Sequence, residues 1–155
     1  MMRNRGFGLV ELLIVIAIIG ILIGLVLAGV TISRDRSYDV RVKSGIRQLR
    51  IIAEKYSSEN GDSFDGFAGC IGTPTATNCI TQASADSVQA LRLDIETANT
   101  ASGSVSASSS ETDFCVTAPL KSSSTSYVCA DAGGETYEGA SSTAPCASGT
   151  SCTFN

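Results

Sequence analysis

Histidine and tryptophan are absent from this chain of 155 residues, proline occurs three times, and the aromatic residues make up only 6%. Without histidine there can be no Ser/His/Asp or Cys/His nucleophile pair, no paired-His zinc site and no histidine general base. There is no C-x-x-C pair, no glycine-rich phosphate loop and no N-x-S/T sequon, and the outer acids lack a recognisable glycosidase context. Strong core formers are also scarce beyond residue 59, where 14 of 96 residues are Val, Ile, Leu or Phe and 53 are Ser, Thr, Gly or Ala. A segment so composed does not sustain an independent core without help. The length allows one small domain with an attached segment, and no enzyme class is favoured.

Charge is unevenly placed. Residues 1–59 hold nine Lys/Arg against five acids, and residues 60–155 hold two against ten, which makes the parts +4 and −8 within a net −4. Hydrophobicity is placed unevenly too. From Leu12 to Val30 no side chain is polar over 19 residues, which as a helix spans about 28 Å, close to the hydrocarbon thickness of a bilayer. Arg3 and Arg5 put the N-terminus on the cytoplasmic side, against a weaker opposing bias from Arg34, Arg36, Arg41 and Lys43. A cleaved secretory signal fits poorly, because its apolar region is shorter, about 7–15 residues, and an A-x-A-like site is hard to find before Arg34. Glu11 lies inside the apolar stretch that starts at Phe7, where an unpaired charge costs up to about 3 kcal/mol, so it demands a partner.

The string Arg5-Gly6-Phe7-Gly8-Leu9-Val10-Glu11 resembles the class III leader signature of type IV pilins and pseudopilins: a short basic leader, Gly, Phe, then Glu four positions on. The resemblance implies cleavage between Gly6 and Phe7 by a prepilin peptidase, N-methylation of Phe7, and a mature chain from 7 to 155. It implies that Glu11 pairs with the Phe7 amine of a neighbouring subunit, so that both charges are neutralised in a filament core. Gly8 stands where the family more often has Thr or Ser, and Ala28 where many major pilins have a helix-breaking Pro. Gly20 matches a helix-loosening glycine of the family. Gly20, Gly24 and Ala28 form a small-residue row at spacing four, suited to close helix approach.

The helix is expected to continue past the membrane, since Val42, Ile46, Leu49, Ala53 and Tyr56 recur at spacings of 4, 3, 4 and 3, and Asn60-Gly61 stops it. The expected organisation is a leader (1–6), a transmembrane or filament-core helix (7–33), the amphipathic half of the same helix (34–60) and a head (61–155). The fold class is α+β, a long N-terminal helix packed against a small antiparallel sheet, pilin-like. Strands are expected around Phe114-Cys115-Val116 and Tyr127-Val128-Cys129, flanking a turn over Lys121 to Ser124, with a third after Gly133-Gly134. The segment containing Val88, Leu91 and Ile95 reads equally as helix or strand, and Ser102 to Ser110 as low-complexity loop.

Cys70, Cys79, Cys115, Cys129, Cys146 and Cys152 lie in the part expected outside the membrane, so three disulfides are expected. Fifteen connectivities are possible. Neighbours are favoured, 70–79, 115–129 and 146–152, because the segments around Cys115 and Cys129 both read as strands flanking one turn, and each bridge would stabilise by about 2–3 kcal/mol. Asp131, Glu135 and Glu138 match no EF-hand spacing and read as a solvated loop. No cofactor and no metal is implied, and serine-rich loops permit O-glycosylation without specifying it.

Three functions follow as expectations. The first is a structural subunit of a type IV pilus, in the cytoplasmic membrane before assembly and in an extracellular filament after it, serving adhesion, motility or DNA uptake. Its partners would be itself, the prepilin peptidase, the assembly machinery and membrane lipid, with any surface ligand unassigned. The second is a pseudopilin of a type II secretion system, a class that tends to lack disulfides. The third is a membrane-anchored binding module that never polymerises, for which Glu11 has no use. The basic stretch Arg34 to Lys55 is expected to pair with acids of neighbouring subunits or with lipid headgroups.

Overall fold

A computed structural model describes residues 8–99, 104–147 and 149–154, and only the helical backbone of residues 28–32. The elements in chain order are α1 (Leu9–Glu59), α2 (Phe67–Gly72), α3 (Gln82–Ala98), β1 (Ser106–Ser109), β2 (Phe114–Pro119), β3 (Ser126–Asp131) and β4 (Thr136–Ala140). This is the expected α+β, pilin-like class. The chain divides into two compact units, Met1–Arg34 and Asp35–Asn155, so the amphipathic half of α1 belongs with the head.

In the first unit α1 is apolar on every side from Leu12 to Leu27. From Leu9 to Leu27 none of its residues is buried, and its large side chains are between 47% and 79% exposed. That length and composition suffice to cross a bilayer.

In the second unit the amphipathic face is buried as expected. Val42, Ile46, Leu49 and Ala53 have no exposed surface, and Tyr56 has 7%. α1 ends as Asn60-Gly61 predicts. Gly61 takes φ +69° and the Asp62 N–H donates to Ser57 O at 2.9 Å, the six-to-one bond of a Schellman turn. Tyr56 then meets Phe67, Phe67 meets Phe114, and Phe114 meets Phe64, with ring centroids 4.9–5.6 Å apart. Four of the chain's nine aromatic residues thus join the end of α1, α2 and β2.

The ambiguous segment is a helix. The Thr81 hydroxyl caps α3 by accepting from the Ser84 N–H, and Ala85, Val88, Ile95 and Ala98 bury one face. Glycine lets this helix come close to α1, since a Cβ on Gly45 would lie 2.6 Å from Ile95 Cγ1. The short helix α2 carries no pattern long enough to signal itself. It is held by the 70–79 bridge, by the Ala68 N–H donating to Ser109 Oγ, and by Arg92, which donates to Ile71 O and Gly72 O at 2.8 Å.

The sheet is an antiparallel meander in the order β1-β2-β3-β4. The expected strands β2, β3 and β4 are present. β1 corrects the expectation of a loop over Ser102 to Ser110: Ser106–Ser109 pairs with β2 from Ser106↔Thr117 to Ser109↔Phe114. Serine has little intrinsic strand preference, and here a buried neighbour supplies the ladder that propensity does not. The rest of that run reaches residues outside those described. β2 is buried along its whole length. Phe114, Val116 and Ala118 face the core built on α1, while Cys115 on the other face lies in a cluster with Cys129 and Cys146, packed by Cys152 and Phe154.

Candidate assembly segment and disulfide-bonded head

Gly6 and Phe7, the expected processing pair, lie outside the described residues. Glu11 is the first acid of α1. Its carboxylate Oε2 accepts from the Gly8 N–H at 3.1 Å, while Gly8 O accepts from the N–H groups of Glu11 and Leu12. Gly8 is therefore the N-cap and Glu11 sits three residues on, the acidic half of a capping box. The other half is missing, because glycine has no hydroxyl to return a bond to the Glu11 N–H. The arrangement uses one carboxylate oxygen and gives an otherwise orphaned helix donor a partner, which matters most where no water can substitute. A Cβ on Gly20 or Gly24 would meet nothing within 4 Å, so neither glycine answers a packing need inside the chain. The side chain of Ala28 is outside the described set.

All six cysteines are paired, but two of the three expected pairings are corrected. The bridges are Cys70–Cys79, Cys115–Cys146 and Cys129–Cys152, with Cα separations of 4.7, 5.6 and 5.8 Å. The reason is register. Cys115 stands opposite Asp131, and Cys129 opposite Thr117, so the two cysteines are diagonal neighbours on one face. Diagonal positions are about 7–8 Å apart, beyond the roughly 6.8 Å that a bridge spans. Each strand cysteine instead takes a partner from the C-terminal segment, which is thereby fastened across the outer face of the sheet.

Several charged residues of α1 have partners inside the chain. Arg41 pairs with Asp94, Lys43 with Glu138 at 2.8 Å, Arg50 with Glu54 and Lys55 with Glu59. These partners belong to the same chain. Among the described residues Arg34 and Arg36 make no ion pair. The outer acids have separate partners: Asp131 accepts from the Gly133 and Cys152 N–H groups, and Glu138 is held by Lys43.

Asp39 gave no signal in the sequence, and Tyr56 gave one only for its buried ring and none for its hydroxyl. Asp39, 6% exposed on α1, accepts from the N–H groups of Lys121 and Ser122 at 2.7 and 3.2 Å. A lone Asp inside a helix reads as a solvated charge, and only the fold brings the β2–β3 turn to it. Tyr56 donates to Asp65 O at 2.9 Å, and its pKa is raised, first by burial and then by the Asp65 charge.

Comparison with known proteins bears on the N-terminal segment. Residues 1–27 match the prokaryotic N-terminal methylation motif. That motif segment holds Gly6, Phe7 and Glu11 together with the exposed apolar helix. The chain is also similar to the type IV major pilin protein PilA of Myxococcus xanthus, 39% identical over 70 residues. Those residues are 45% of this chain and 31% of the relative, so the chain spans about a third of the length of the curated relative it matches. The relative's name is that of a type IV pilin, and each of the two matches covers less than half of this chain. No solved structure matches the chain.

Proposed function

We propose that this chain is a structural subunit of a type IV pilus, cleaved between Gly6 and Phe7 and polymerised through its N-terminal helix into a surface filament. One observation carries the reading: the methylation motif includes the helical residues Leu9–Leu27, whose apolar side chains are exposed. Lipid covers that surface before assembly, and helices of other copies cover it afterwards. Within the filament the Glu11 carboxylate neutralises the Phe7 amine of a neighbour. The row Gly20, Gly24 and Ala28 admits close helix contacts there, and Arg34 and Arg36 meet lipid headgroups before assembly. The head carries the excess negative charge outward, which favours adhesion or motility over direct capture of DNA by this subunit.

The test is Glu11→Ala. The variant should insert and be processed normally while sheared surface filaments fall well below the native yield. Native filament yield from that variant would overturn the pairing. Intact-mass analysis of native sheared material should give a chain beginning at methylated Phe7 and lighter by six hydrogens, one pair for each of the three bridges. Protein that retains Met1 or Met2 and stays in the membrane would instead support an anchored module.

A further inference from the structure

Within the head α1 carries a second row of side chains, on the face away from its buried one. Val40, Ser44, Arg47 and Ile51 recur at spacings of 4, 3 and 4, so they line one side of the helix, and all four are exposed. Val40 is 64% and Ile51 66% exposed. A single exposed aliphatic residue is ordinary, but Ile51 stands on the edge of a groove. The groove, about 600 Å³ in volume, opens between α1 and α3 and is lined chiefly by Ile51, Ile52, Ala83, Ser87, Ala90 and Leu91. Its α1 wall runs from Gln48 to Lys55, about 10 Å along the helix. Its α3 wall is made of small residues, so an aliphatic side chain from outside can reach the floor. Lys55 is the charged member of the lining and already pairs with Glu59.

Row and groove also carry complementary charges. Among the described residues Arg47 makes no ion pair, and its hydrogen bond from Nε to Thr136 Oγ1 is long at 3.5 Å. Asp86, next to Ser87 on α3, makes no ion pair among those residues either, and its Oδ1 accepts from the Gln82 amide at 2.7 Å. The second carboxylate oxygen of Asp86 and the outer nitrogens of Arg47 are therefore open to a partner.

We infer that the outer row of α1 in one copy docks into the α1–α3 groove of a second copy, with Ile51 seated against Ala83, Ser87 and Ala90 and Arg47 paired with Asp86. The inference rests on the pilus reading. In a filament all copies point the same way, and each repeated contact joins two different surfaces. A protruding Ile51 and a groove of small residues are two such surfaces on one chain. Each copy gives its row to one neighbour and receives the row of another. A two-fold pair would use one patch twice and close, which a growing fibre does not do. An aliphatic anchor in a fitted seat, flanked by an ion pair, sets the register between heads.

The experiment uses the full chain in cells that produce it. A photo-crosslinker replacing Ser87 should join two chains when sheared filaments are irradiated, with the bond mapped by peptide mass spectrometry to residues 44–55 of the second chain. Ile51→Arg should lower the yield of crosslinked pairs and of filaments several-fold while leaving the thermal midpoint of the head unchanged, because Ile51 is exposed. Ile51→Leu should keep both yields. Arg47→Glu should also lower filament yield, and adding Asp86→Arg to it should restore the yield. Native filament yield from Ile51→Arg would overturn the inference and leave the pilus reading intact. Crosslinks from position 87 that reach lipid or a different protein, or no recovery in the charge-swapped variant, would overturn it as well. A native chain that forms no filaments would overturn the pilus reading and the inference together.

Discussion

The carboxylate of Asp39, within α1, accepts the backbone N–H of Lys121, 82 positions further along the chain, at 2.7 Å. Ser122 donates to the same oxygen, and Lys121 Nζ lies 4.7 Å above the Tyr38 ring, so one turn of α1 holds the β2–β3 connection.

Asp39→Ala leaves these two amides without their acceptor and should destabilise the head by about 1–3 kcal/mol. Asp39→Asn keeps an oxygen acceptor and should lose less. Thermal midpoints of both variants decide it, and equal losses would mean that charge, rather than the acceptor atom, matters.

Gly45 is the point where α3 meets α1. Gly45→Ala places a Cβ against Ile95 and should cost about 1–3 kcal/mol, more than the roughly 1 kcal/mol of helix preference that Ala returns. In an Ile95→Ala background the same change should become neutral or stabilising. A denaturant-unfolding cycle of the four proteins measures the coupling, and purely additive effects would contradict the close approach.

Peptide mapping without reductant should find Cys115 joined to Cys146 and Cys129 joined to Cys152. Replacing Cys129 and Cys152 together by Ala should lower stability by about 2–4 kcal/mol, because the core beneath them is thin and the bridge closes a loop of the unfolded chain. An unchanged midpoint would mean that packing of Phe154 over Gly139 already suffices to hold the C-terminal segment.

Tyr56 titrates above the ordinary tyrosine value, chiefly because it is buried. Its neutral form is the one the fold favours. The stability it contributes is therefore complete below the unfolded-state pKa of about 10 and is lost as pH rises through the folded-state value. The native thermal midpoint should fall more steeply above pH 10 than that of Tyr56→Phe, with the two curves parallel at neutral pH. Parallel curves throughout would remove Tyr56 from the alkaline response. At neutral pH the variant should lose about 1 kcal/mol with the bond to Asp65 O.

The parts legible in the sequence are those governed by a local period or a local backbone requirement. The unbroken apolar run from Leu12 announces its own helix, and Val42, Ile46, Leu49, Ala53 and Tyr56 announce a buried face because helical geometry alone aligns them. Asn60-Gly61 and Gly133-Gly134 mark turns because Gly61 and Gly134 adopt positive φ there. Lys and Arg on α1 were visible as charges, yet their partners were not, since Asp94 and Glu138 reach Arg41 and Lys43 only when α3 and β4 are docked.

Tertiary structure decided what depends on register and on distant neighbours. Whether Cys115 meets Cys129 or Cys146 turns on a two-residue offset between β2 and β3, which no cysteine spacing encodes. Ser106–Ser109 became a strand because β2 presented its edge, and Asp39 became an anchor because the β2–β3 turn came to rest beside it. A chain whose head is more than half Ser, Thr, Gly and Ala carries little pattern of its own. Its contacts are therefore set by the few strong core residues, by backbone hydrogen bonding and by three covalent bridges, acting together only after the chain has folded.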